Sequence, residues 1–87
     1  HYAVKKGLGK DWVEKLFQFL LSMATQKDRE VRRGIGWAAK TTARYHPEII
    51  ERYEAKIEDQ SQVDNWFRRK VKMGLERHAY YAQRDRG

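Results

Sequence analysis

The sequence contains no cysteine, a single proline and no Gly/Ser-rich tract. Without cysteine there are no disulfides and no thiol chemistry, and the composition fits a reducing, cytoplasmic setting. With so little proline and glycine there is little room for long loops. No stretch approaches the ~18–20 apolar residues of a membrane span, and the first residues do not have the pattern of a signal peptide, so no membrane partner is expected. His1, His46 and His78 are scattered without ligand spacing, and no metal site is expected. Gly7-Leu8-Gly9 and Gly34-Ile35-Gly36 lack the strand–turn–helix context of a phosphate-cradling loop, so no cofactor is expected either. Ser22 and Ser61 have no base nearby in sequence, and His46, before Pro47, reads as a structural residue at a helix boundary.

What is present is charge and apolar mass in a short chain. Eighty-seven residues make one small domain at most, and such a chain buries only about 60–65% of its unfolded surface. Lys and Arg number 19 against 12 Asp and Glu, a net charge of +7, with a pI near 9.9. Such a balance points either to a polyanionic partner or to a solvated basic surface. Apolar residues reach 40%, enough to fold rather than remain disordered.

Helical signals run throughout. Residues 2–9 resemble the end of a helix, and residues 11–24 form a second, with Asp11 as N-cap and Glu14 as its capping-box partner. Asp28 caps a third, to Tyr45. Pro47 opens a fourth, to Ile57, and Ser61 with Asp64 opens a fifth, to Arg84. Asp11 and Glu14 also flank Trp12, and a carboxylate beside an indole suits a cationic transition state. The capping role is the simpler reading, and no catalytic residue is assigned.

A repeat runs through these helices. Ala3-Val4-Lys5-Lys6-Gly7-Leu8-Gly9 matches Glu30-Val31-Arg32-Arg33-Gly34-Ile35-Gly36, 27 residues on. Trp66-Phe67-Arg68-Arg69-Lys70-Val71-Lys72 matches more loosely, 36 residues further. Periods of this size belong to helix-pair arrays, in which each unit buries its face by stacking on neighbours. Charge alternates with the helices. Residues 27–45 hold six basic and two acidic residues, 46–60 hold two and five, and 62–87 hold seven and three. The second helix of each pair is therefore expected to line a basic, concave surface.

At 100° per residue, Val31, Ile35, Ala38 and Thr42 form the core side of the third helix. Arg33, Trp37, Lys40 and Arg44 share another side. On the fifth helix Val63, Phe67, Val71, Gly74 and Tyr81 face the core, while Trp66, Arg69, Met73, Arg77, Tyr80 and Arg84 form the second stripe. Cations neutralise phosphates, and exposed rings offer stacking surfaces. Alternatively, Trp37 packs on a neighbouring repeat, and Trp66 and Tyr80 close the core. Gly36 is expected at a close helix contact, with Gly34 open between packing and approach to a phosphate. Helix 11–24 is apolar nearly all round, as though other repeats or another chain cover it.

The segment Val31-Arg-Arg-Gly-Ile-Gly-Trp-Ala-Ala-Lys40, followed by Ala43-Arg-Tyr-His-Pro-Glu-Ile-Ile50, resembles the C-terminal repeats of the AlkD-like DNA alkylation repair family. The segment from Trp66 to Leu75 is similar to the final helix of some members. The resemblance implies HEAT-like helix pairs curved around duplex DNA. It also implies a glycosylase that removes cationic alkylated purines without metal or cofactor. Trp37 would contact DNA near the lesion, and Lys5 or Lys6 is the nearest match to a basic residue of the preceding repeat. The family's catalytic carboxylate stands on an earlier repeat, in a Trp-x-x-x-Asp arrangement. Here Leu16 stands four residues after Trp12, so the catalytic Asp is expected to be missing.

The expectation is an all-α stack of antiparallel helix pairs over residues 1–87, the C-terminal part of a longer array. Its partner would be alkylated duplex DNA, bound through Lys6, Arg33, Trp37, Lys40, Arg44, Arg69 and Arg77. The alternative is a non-enzymatic interaction module whose basic face meets an acidic protein.

Overall fold

The computed structural model describes residues 10–86, which form five helices and no strand. They are α1 (Lys10–Ser22), α2 (Arg29–Tyr45), α3 (Pro47–Arg52), α4 (Glu54–Ile57) and α5 (Asn65–Arg86). The all-α expectation holds. No helix among the described residues is long and apolar enough to cross a membrane.

Local chemistry accounts for most of the boundaries. The Asp28 carboxylate accepts from the backbone N–H groups of Glu30 and Val31, as a helix N-cap should. His46 ends α2 and begins α3. Its N–H donates to the Thr42 carbonyl, and Pro47 fills the first position of α3, where a missing N–H costs nothing. The expected helix 47–57 is broken at Tyr53, whose N–H is shared between the Ile49 and Ile50 carbonyls. The fifth helix starts later than expected. Ser61 is occupied with Asp59, and the Asp64 carbonyl opens the helix by accepting from Phe67 and Arg68. Glu14 does not act as a capping partner. Its carboxylate pairs with Arg52 and accepts from the Tyr53 hydroxyl at 2.7 Å, tying α1 to α3.

Phe17 sits at the centre of the core, with ring centroids 5.9 Å from Tyr53 and 6.1 Å from Phe67. Around it lie Val13, Leu20, Leu21 and Ala24 of α1, Ala39 and Ala43 of α2, and Ile49, Ile50 and Ile57 of α3 and α4. Val63, Phe67 and Val71 close the cluster from the α5 side. Helix α1 is not buried all round, because Trp12 and Phe19 are more than half exposed.

The most extensive helix contact is between α2 and α5. Arg32 lies over the Trp66 ring, Gly36 meets the Lys70 side chain, Lys40 meets Gly74, and the Arg44 carbonyl accepts from His78. Each pair is 34 residues apart, so the two helices run parallel, side by side. The approach is closest at Gly74, where a Cβ would lie 2.2 Å from the Lys40 carbonyl oxygen and 2.6 Å from the Ala43 Cβ. Only glycine permits that distance.

This second neighbour changes which side of α2 is buried. Thr42 is buried as expected, but Val31, Ile35 and Ala38 are only partly covered. Gly36, Ala39 and Ala43 are buried instead. Coverage by α5 on one flank, as well as by the core, turns the buried side toward the bisector of the two. Thr41 and Thr42 reconcile their hydroxyls with burial by donating to the Trp37 and Ala38 carbonyls, each at 2.9 Å.

Candidate nucleic-acid interface

The parallel packing of α2 and α5 decides which side chains share a surface. Touching residues are 34 apart and point toward each other. Two further residues turn a helix by about 200°, close to the half-turn separating the facing side from the same side. Positions 36 apart therefore point the same way. Arg33 and Arg69 form such a pair, as do Trp37 and Met73, Lys40 and Glu76, and Arg44 and Tyr80. This is the spacing of the sequence match between residues 30–36 and 66–72. Val31 and Ile35 are matched by Phe67 and Val71 on the core side. Arg33, Trp37, Arg69 and Met73 are exposed, whereas Lys40 and Arg44 are half-buried beside the seam, where their carbonyls meet Gly74 and His78.

Six of the seven expected residues can be placed on the described helices. Arg33, Arg69 and Arg77 are exposed, and Trp37 is 42% exposed. Lys40 is half-buried, as its backbone requires at the Gly74 crossing. Arg44 is half-buried and clamped, its guanidinium carbon 4.9 Å from the Tyr45 ring centroid and 4.5 Å from that of Tyr81. Lys6 lies outside the described residues.

The stripe differs from expectation at two positions. Trp66 does not belong to the open side. It is half-buried against Phe67, ring centroids 5.8 Å apart, with Arg32 over its face at 5.2 Å. Tyr81 is exposed rather than in the core, because α5 runs past the end of α2 and its last turns have less to cover them. Tyr80, whose alternative reading was closing the core, is 58% exposed.

The paired arginines divide their work in the same way in both copies. Arg68 donates through Nε to the Ile57 carbonyl at 3.0 Å and through Nη2 to the Val63 carbonyl at 2.8 Å. It also bonds Asn65, so it holds the α4–α5 connection in place. Its repeat equivalent, Arg32, is half-buried on Trp66. The second arginine of each pair, Arg33 or Arg69, is exposed. One basic residue packs and the next faces solvent.

At the glycines, an added Cβ on Gly36 would meet the Lys70 Cγ at 3.0 Å, which is the packing role expected there. Gly34 has nothing within 4 Å. It lies one residue from Arg33 on an open stretch of α2.

The far end of the open side carries an aromatic group. Met73, Glu76, Arg77, Tyr80 and Tyr81 line a shallow depression, with the Tyr80 and Tyr81 rings packed edge to face at 5.2 Å. Glu76 is the only carboxylate in its lining. A second cleft, of about 600 Å³, separates α3 and α4 from α5. Ile50, Ile57, Val71 and Leu75 provide its apolar surface, and Glu51, Glu54 and Glu58 stand along its wall. Arg68 and Lys72 also line it, so its charge is mixed, with one more carboxylate than cations.

Glu14 beside Trp12 is ion-paired with Arg52. Among the described residues no group of histidine and carboxylate side chains is assembled to hold a metal ion. Comparison with known proteins finds no matching family model, no matching curated protein and no matching solved structure.

Proposed function

We propose that this chain is a DNA-binding segment of a HEAT-like helical array, gripping the duplex backbone through the open side of the α2–α5 layer. The observation that carries this reading is the parallel register of α2 and α5. That register supports a shared surface for the exposed Arg33 and Arg69, to which we assign the exposed Trp37 and Arg77 and the half-buried Lys40. Cations on such a surface neutralise phosphates and release condensed counterions, which supplies affinity without reading sequence.

Two helices of the same sense joined by a shorter broken helix are compatible with the second helices of successive antiparallel pairs in a HEAT-like stack. The resemblance of residues 31–50 to the AlkD-like alkylation repair family supports alkylated duplex DNA as the target. In this reading the chain serves as a clamp rather than as the excising centre, because it contains no Trp-x-x-x-Asp pair, Leu16 standing four residues after Trp12.

The test is duplex binding by the full chain over a range of salt concentrations. Affinity should fall steeply with salt, and Arg33→Ala with Lys40→Ala should lower the log–log slope by roughly 2, about 0.9 for each lost phosphate contact. Binding that ignores salt, or no binding at low salt, defeats the proposal. Capture of one acidic protein with no affinity for DNA would favour the interaction-module alternative. Release of methylated purine by this chain alone would show that the missing carboxylate had been misjudged.

A further inference from the structure

The distal half of α5 combines three features that backbone neutralisation alone does not require. The Tyr80 ring is 58% exposed although it adjoins an apolar surface formed by Met73 and Tyr81. Arg44 is held between two rings, Tyr45 and Tyr81, so its guanidinium is fixed. The site also lies where α5 outruns its neighbour. The 34-residue register sets Tyr45, the last residue of α2, level with Ala79, and α5 continues to Arg86.

An exposed aromatic ring with an apolar floor suits the face of a nucleobase. A base within a duplex is stacked on both sides and cannot present that face. The occupant must therefore be unpaired. A guanidinium stacked on aromatic faces keeps its N–H groups in the ring-parallel plane, where they form a fork for phosphate oxygens. Arg77 and Arg84, both exposed on the same helix, add positive charge beside it. Glu76 opposes them and sets the strength of phosphate attraction at this end.

We propose that Tyr80, floored by Met73 and Tyr81, is a stacking site for an unpaired DNA base, and that Arg44 holds the adjoining phosphate. This rests on the nucleic-acid reading above and narrows it. The chain grips paired DNA through Arg33 and Arg69 and recognises a local opening of the duplex through Tyr80.

The experiment compares the full chain on two fluorescently labelled duplexes, one fully paired and one carrying a single bulged adenine, by anisotropy at fixed salt. The wild type should bind the bulged duplex about tenfold more tightly, in line with the stacking contribution of one base. Tyr80→Ala should abolish the preference, so that the bulged and paired duplexes bind with equal affinity, and Tyr80→Phe should retain it. Arg44→Lys, which keeps the charge but loses the fork, should weaken the bulged complex more than the paired one. Circular dichroism of each variant confirms that it is folded. Equal affinity of the wild type for both duplexes, or a preference that survives Tyr80→Ala, overturns the stacking site but leaves the backbone grip standing. Failure to bind either duplex overturns both.

Discussion

Helix α5 borders two surfaces of opposite character. On the side it shares with α2, Arg69, Met73, Arg77 and Tyr80 face outward beside Arg33 and Trp37. On the side it shares with α3 and α4, Val71 and Leu75 line a cleft whose wall carries Glu51, Glu54 and Glu58. The first surface is basic and shallow, and the second is apolar and acid-rimmed. The contrast follows from which neighbour each side has. The neighbour on one side is another basic helix, and on the other it is the acidic stretch 46–60. The proposed polyanion contact requires the first surface, although the net charge of +7 describes the molecule as a whole.

Both surfaces depend on one core, so the harshest perturbation erases the contrast altogether. Phe17→Ala removes the ring joining Tyr53 and Phe67 and should cost about 3–5 kcal/mol. In a domain this small that is enough to abolish the cooperative thermal transition. A transition within a few degrees of wild type would mean that Phe17 is not the centre of the core. Gly74→Ala strikes the seam between α2 and α5. Its Cβ would fall 2.2 Å from the Lys40 carbonyl oxygen, and forcing the helices apart should cost about 1–3 kcal/mol. Chemical denaturation midpoints measure it.

The contrast itself is tested by charge. Arg33→Glu with Arg69→Glu should lower duplex affinity by roughly tenfold to a hundredfold at low salt, with melting temperature unchanged because both side chains are exposed. Glu51→Lys with Glu54→Lys should leave affinity equal or higher. If the two double variants weaken binding alike, the open side is not the binding surface.

Gly34→Ala sharpens the comparison with Gly74. The same substitution, made where nothing lies within 4 Å, should raise stability by up to about 1 kcal/mol through helix propensity alone. Reduced DNA affinity in that stabilised variant would show that the α2 backbone approaches a phosphate there.

The smallest effect is expected in the α4–α5 connection. The Asp59 carboxylate accepts from the Ser61 hydroxyl at 2.6 Å, from the Ser61 N–H at 2.9 Å and from the Gln62 amide at 2.9 Å. These bonds favour the ionised form and hold its pKa below the ordinary carboxylate value. The folded pKa lies below the unfolded one. The contribution is therefore present at neutral pH, begins to fade as pH drops past the ordinary value, and is lost below the folded value. Asp59→Asn should remove that part of the acid limb in a stability–pH series.

Much of this architecture is legible in single residues. Asp28 announces the start of α2 because a carboxylate before a helical run satisfies orphan N–H groups. Pro47 announces α3 because its ring suits a first turn. The core side of α5 through Phe67, Val71 and Gly74 follows from periodicity, with Val63 buried just ahead of the helix. Ser61 misled, because Asp59 competes for it two residues away and the helix waits for Asp64. Tyr53 breaks the fourth helix without any glycine or proline to mark the place, and nothing local signals it. Trp66 and Tyr81 were misplaced for one shared reason. Periodicity gives the angle of a side chain around its own helix but not the extent of the neighbour it meets.

The sequence by itself determined that the chain is helical, that its helices alternate in charge, and that the motifs around Arg33 and Arg69 repeat at 36 residues. These are local properties, set by composition, capping and period. Only the tertiary structure decided that α2 and α5 run parallel at a 34-residue register, which sets those motifs on one side of a single layer. It also decided that the first arginine of each pair packs while the second is exposed. The physical reason is the contact at Gly74. The missing side chain lets two basic helices approach closely enough for their repeats to align, and no residue announces its neighbour in advance.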